Sequence, residues 1–190
     1  YTDVDLDGIF HCEIDLNKLT DDRFGLLLDK IYAAGARKIF GEISSKAFTL
    51  HDITIKNINY DTTSMVMWGE YETPDGKIGA ISINFGKKKK KREDKKQIKL
   101  GIGTANGVIV DAKVLSGNKD DKTYNNENLD DVNSVIERFD ISKEDFYYIA
   151  DSALFTKENL EKAKDKIKLI TRMPDNTLVA KELMEAALSD

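Results

Sequence analysis

Proline is nearly absent. Pro74 and Pro174 are the only two among 190 residues, which excludes collagen-like and Pro-rich linker architectures. Cysteine is scarcer still: Cys12 alone closes no internal disulfide, and with only His11 and His51 beside it there is no Cys/His zinc set. No apolar run approaches the ~18 residues of a membrane span and no signal-peptide pattern opens the chain, so no membrane partner is expected. An initiating methionine is lacking too; the chain begins at Tyr1 and reads as an excised piece of a larger cytosolic protein. What is present is a composition of 41% hydrophobic and 33% charged residues, enough to bury a core and to exclude wholesale disorder. The length fits one domain, or one domain with a flank.

Charge is unevenly placed. Residues 87–99, KKKKKREDKKQIK, carry nine Lys/Arg against two acids, a local +7; the formal total is −5, which leaves −12 on the rest. An acidic domain with one basic strip can still bind a polyanion, because steering follows the local field. The plain reading of such a run is a solvated loop. The reading with a function is DNA contact through phosphates, for which Lys88, Lys90, Arg92 and Lys96 are the candidate residues, in an exposed strip without sequence preference.

Hydrophobic periodicity gives the rest of the outline. Thr20 suits an N-cap, with Asp21 and Asp22 in the first turn. Phe24, Leu27, Leu28 and Ile31 recur at helical spacing up to Gly35. A second helix presents Ile39, Phe40, Ile43 and Ala47 on one face, so residues 1–50 read as a helical flank built on an α-hairpin. Residues 53–68, ITIKNINYDTTSMVMW, have strand composition. Thr73-Pro74-Asp75-Gly76 is a turn, and Ile78–Phe85 reads as a strand. Ile98–Thr104 and Val108–Leu115 form a hairpin about Asn106-Gly107. A helix through Leu129, Val132, Val135, Ile136 and Phe139 follows, then the apolar strand Phe146–Ala150, a helix capped by Thr156, a strand at Lys168–Thr171, and a helix over Leu178–Leu188. Antiparallel strands followed by crossovers predict an α/β mixed sheet with helices on its faces, over residues 51–174. Residues 175–190 start an insertion or a following helix.

Two acids stand out from the surface charges. Asp61 interrupts a strand between Tyr60 and Thr62, and Asp151 ends the apolar strand FYYIA. Aspartate is disfavoured in strands, and a charge beside buried residues is costly unless paired or bound to a cation. The plain alternatives are a water-facing edge residue for Asp61 and a turn or helix cap for Asp151. On neighbouring strands the two could share Mg²⁺ or Mn²⁺, which prefer hard oxygen ligands.

These residues carry a family resemblance. Asp61-Thr62-Thr63-Ser64 followed by Gly69-Glu70-Tyr71 resembles the first catalytic strand of the DDE transposases of bacterial insertion sequences. Lys91–Gln97 resembles that family's basic stretch before its second strand, with Glu93 in place of the usual proline. Gly117-Asn118 with Asp121 and Thr123 resembles the turn after its third strand. Ala150-Asp151-Ser152-Ala153-Leu154 with Glu158-Asn159-Leu160 resembles the fourth strand and its helix. Thr171-Arg172-Met173-Pro174 resembles the end of the fifth. The set runs in order over roughly residues 20–175.

The resemblance implies an RNase H-like sheet and a metal-dependent DNA strand-transfer enzyme. It implies Asp61 and Asp151 as catalytic metal ligands for a two-metal Mg²⁺ or Mn²⁺ site, and transposon-end DNA as partner, with room for a homodimer in the DNA complex. It further implies a cytoplasmic, nucleoid-associated bacterial protein. The family's third acid, a Glu within a Tyr-x-x-Arg-x-x-x-Glu-x-x-x-x-x-x-Lys motif, has no match here. Glu182 and Glu185 lie on the last helix but lack the Arg four residues earlier. The expectation is therefore a fragment without its third acid, inactive alone. The alternatives are an RNase H-like nuclease or resolvase, and a non-catalytic transposase-derived binding module.

Overall fold

A computed structural model describes residues 4–71, 81–86, 94–164 and 166–189. The chain divides into two compact units, Tyr1–Ile39 and Phe40–Asp190. The first holds α1 (Leu6–Phe10), α2 (Asp21–Ala34) and the start of α3 (Ala36–Leu50). Thr20 caps α2 by accepting from the Arg23 amide, and Gly35 ends it at φ +87°. None of the described residues of this unit is buried.

The division between the two units falls inside α3. Within the second unit α3 buries Gly41, Ser44 and Phe48, not the expected face of Phe40, Ile43 and Ala47; Ile43 is exposed. Specific partners decide this. The Arg138 guanidinium lies against Gly41, where a Cβ would stand 2.2 Å from its Nη1. Ser44 Oγ donates to the Ile109 carbonyl at 2.9 Å and Ser45 Oγ to that of Arg138 at 2.9 Å. Phe48 meets Phe139 edge-on at 5.4 Å.

The second unit is built on a five-stranded sheet of order β3-β2-β1-β4-β5. Its strands are β1 (Asn57–Val66), β2 (Gln97–Ala105), β3 (Val108–Ser116), β4 (Tyr147–Ala150) and β5 (Lys168–Thr171). The first three are antiparallel; β4 runs parallel to β1, and β5 parallel to β4. This is the α/β, RNase H-like mixed sheet that the resemblance implies. Between the strands come α4 (Asp121–Arg138) and α5 (Lys157–Ala163), and α6 (Leu178–Ser189) closes the described chain.

The expected strand at Ile78–Phe85 is not formed by its described part. Residues 78–80, like the turn at residues 73–76, lie outside the described residues. From 81 onward the segment makes a single bridge, Asn84 with Gln97. The pairing edge explains it: β2 is flanked by β1 and β3 along its length, and only where β3 stops at Ser116 does Gln97 have a free side. Ser82 accepts there from the Gly117 amide.

Strict alternation in β1 buries Ile58, Tyr60, Thr62 and Ser64 and exposes Asn59, Asp61 and Thr63. Over the buried face pack Leu129, Val132, Val135 and Ile136 of α4, with Phe146, Tyr148 and Leu154. The Tyr60 and Tyr148 rings stack at 4.5 Å and 19°. Tyr148 donates from its hydroxyl to Asn125 Oδ1 (3.3 Å) and accepts from Asn128 Nδ2 (3.1 Å), so two buried asparagines of α4 hold the tyrosine that joins β4 to β1.

Asp120 starts α4. Its carboxylate accepts from the Thr123 hydroxyl and amide at 2.7 and 2.9 Å. These bonds, the hydroxyl first, hold its pKa below the ordinary 3.8. A carboxyl depressed in the folded state stabilises the fold above its unfolded value and loses that contribution as pH falls through the folded one. Asp120→Ala should therefore cost about 1 kcal/mol at neutral pH. In urea denaturation the gap from the unsubstituted chain should close as pH drops below 3.8; a gap independent of pH would contradict this role.

Candidate functional site: two aspartates on neighbouring strands

Asp61 and Asp151 come from adjacent parallel strands. The register pairs Tyr60 with Ala150, so the next residue of each chain segment is one of the two acids. Neighbouring strands run about 4.8 Å apart. Tyr60 and Ala150 are buried while Asp61 and Asp151 are exposed. The period of two along β1 sets Asp61 on the face opposite Tyr60, and Asp151 directly follows the last residue of β4.

Each carboxylate is oriented by one oxygen. Asp61 Oδ1 accepts from the Thr62 amide at 2.7 Å. Asp151 Oδ1 accepts from the Ala153 amide at 3.0 Å, capping the short turn Ser152–Leu154. The cap is thus real, and it leaves Oδ2 of both acids without a hydrogen bond to any described residue. The Thr171 hydroxyl donates to the Asp151 carbonyl at 2.7 Å, tying β5 to the same strand end.

The donor set fits a divalent cation in kind. Two anionic, solvent-reached oxygens suit Mg²⁺ or Mn²⁺. In number it is incomplete: among the described residues no group of three or more His, Cys, Asp or Glu comes together, so Glu182 and Glu185 of α6 do not complete it.

Behind Asp61, on the buried face, sits a polar group that composition does not reveal. Thr62 Oγ1 donates to Asp121 Oδ1 at 2.7 Å, and Lys99 Nζ meets the same oxygen at 3.0 Å. Lys99 belongs by sequence to the basic strip expected to be exposed; it is 5% exposed. It lies within β2, opposite Ser64, on the face covered by α4. Only its placement on the buried phase of Lys99, Gly101 and Gly103 could have signalled this.

Of the DNA-contact candidates, Lys88, Lys90 and Arg92 lie outside the described residues. Lys96 is partly buried, and its ammonium donates to the Tyr71 carbonyl.

No protein-family model matches this chain, and no curated protein does. Solved structures do match. The Mos1 transposase paired-end complex with left transposon end is 9% identical over 81% of this chain and 54% of that one, at a TM-score of 0.41. The catalytic domain of Mos1 mariner transposase is 8% identical over 82% and 71%, at 0.40. A pre-cleavage Mos1 transpososome is 11% identical over 80% and 48%, at 0.42. The chain spans about half the length of the Mos1 chains in these complexes.

The Lys99–Asp121 pair sets a stability expectation. Removing one partner of a buried ion pair strands the other, at a cost of about 3 kcal/mol or more. Asp121→Ala should show this in urea denaturation. Lys99→Met combined with Asp121→Asn removes both charges, keeps an acceptor for Thr62 and should recover most of the loss. Equal losses in the single and double variants would contradict a buried-charge origin.

Proposed function

We propose that this chain is part of the catalytic region of a DNA transposase, acting by metal-dependent phosphoryl transfer on DNA. The observation that supports the reading is the pairing of Tyr60 with Ala150, which makes Asp61 and Asp151 the next residues on neighbouring strands, each with one carboxylate oxygen held by a backbone amide. The ordered motifs from Asp61 to Pro174 give the finer reading, a DDE enzyme of bacterial insertion-sequence type whose substrate is transposon-end DNA.

On this reading Asp61 and Asp151 hold Mg²⁺ or Mn²⁺. A pair of such ions, when bound, activates a water and stabilises the leaving oxygen of the phosphodiester. The protein's own part is positioning. The Thr62 and Ala153 amides hold one oxygen of each carboxylate, and the other oxygen of each would be the ligand offered to a shared cation. The third acid comes from outside residues 1–190, and the chain alone binds metal weakly and does not cleave DNA.

Calorimetry with Mn²⁺ tests this. The chain should bind with a dissociation constant near ~1 mM, as expected of a sparse carboxylate site. Asp61→Asn and Asp151→Asn, which keep shape and delete charge, should each abolish the heat. Binding unchanged in both variants would contradict the reading.

A further inference from the structure

We propose that Trp68, with Tyr71, Lys95 and Lys96, forms a stacking platform for an unpaired base of single-stranded DNA. The proposal rests on the reading that the chain acts on DNA and adds a site to it. Trp68 is 67% exposed, an unusual placement for the largest apolar side chain.

The segment carrying it is held in place. The Met67 amide donates to the Lys96 carbonyl at 2.9 Å, extending the β1–β2 ladder past both strands. Gly69 follows at φ +153°, and a Cβ there would stand 2.9 Å from the Tyr71 ring. Glycine therefore lets Tyr71 fold back, with its hydroxyl donating to the Trp68 carbonyl at 3.4 Å. Lys96 closes the loop through the Tyr71 carbonyl. Both aromatic rings are exposed on this braced turn.

The neighbours specify the ligand. Lys95 Nζ stands 5.0 Å from the Trp68 ring centroid and 3.8 Å from Asp94 Oδ2. An ammonium beside an exposed indole matches a nucleotide, whose base offers a π-face and whose phosphate offers the counter-charge; Asp94 is the competing anion that a phosphate would displace. An apolar protein partner would instead desolvate two lysines. Bases inside a duplex are stacked on each other and present no free face, so the ligand is an unpaired strand. Trp68 lies seven residues beyond Asp61 on the same extended segment, about 23 Å along it. A strand bound there would be held at a fixed distance from the aspartate pair.

Trp68 is the chain's one tryptophan, so its emission reports the site directly. Oligo(dT) of about 16 nucleotides, titrated without added metal, should quench that emission in step with the anisotropy of a labelled strand. Trp68→Ala should weaken binding about 10-fold, with Trp68→Phe retaining most of the affinity, since stacking contributes about 1–3 kcal/mol per base. Lys95→Ala should flatten the log–log salt dependence by about 0.7, the value for one phosphate contact on a single strand. Blunt duplex should bind Trp68→Ala and the unsubstituted chain alike. Oligo(dT) binding without quenching, or unchanged in a folded Trp68→Ala chain, would overturn the platform. If duplex binds and oligo(dT) does not, the platform falls and the DNA reading stands; if neither binds, both fall.

Discussion

The parallel pairing of β1 with β4 is the constraint on which the rest depends. Two strands that meet only after some 80 residues of intervening chain are locked side by side by the stack of Tyr60 on Tyr148. Aromatic pairs of this kind contribute about 0.5–1.5 kcal/mol beyond burial. Here the stack does more than stabilise. Because each ring sits one residue or a few before an aspartate, fixing the rings fixes the level of Asp61 and Asp151 along the two neighbouring strands. A slip of one residue would turn one aspartate inward and its buried neighbour outward.

The buried face carries polar groups among its apolar ones. Asn125 and Asn128 grip Tyr148, and Asp121 grips Thr62 and Lys99. All three side chains come from α4, so one helix sets the height of β1, β2 and β4 together. Buried polar groups of this kind are costly unless satisfied, and their geometry is correspondingly specific. The capping of α4 by Asp120 places its first turn, and with it Asp121, beneath Thr62.

Much of this was legible in the sequence. The alternation about Asp61, the apolar FYYIA run before Asp151 and the Asn106-Gly107 hairpin signal each gave an element near its observed place, because local pattern and burial agree there. The misses share a cause. On α3, Ile43 looks like a core residue, yet Gly41 and Ser44 face inward because Arg138 and the Ile109 carbonyl need small or donating partners. Lys99 reads as one more charge in a basic run, yet it occupies the buried phase of β2 opposite Ser64. Ile81–Phe85 has strand composition, but the strand beside it, β2, is already paired on both sides except at Gln97. Composition does not encode which partner a segment meets.

The central claim is that Asp61 and Asp151 form one cation site. Anomalous diffraction from crystals soaked in Mn²⁺ tests it most directly. The account predicts a manganese peak about 2.1 Å from a carboxylate oxygen of each aspartate, the distance typical of small hard cations. A manganese ion bound elsewhere on the domain, with none between Asp61 and Asp151, would contradict it.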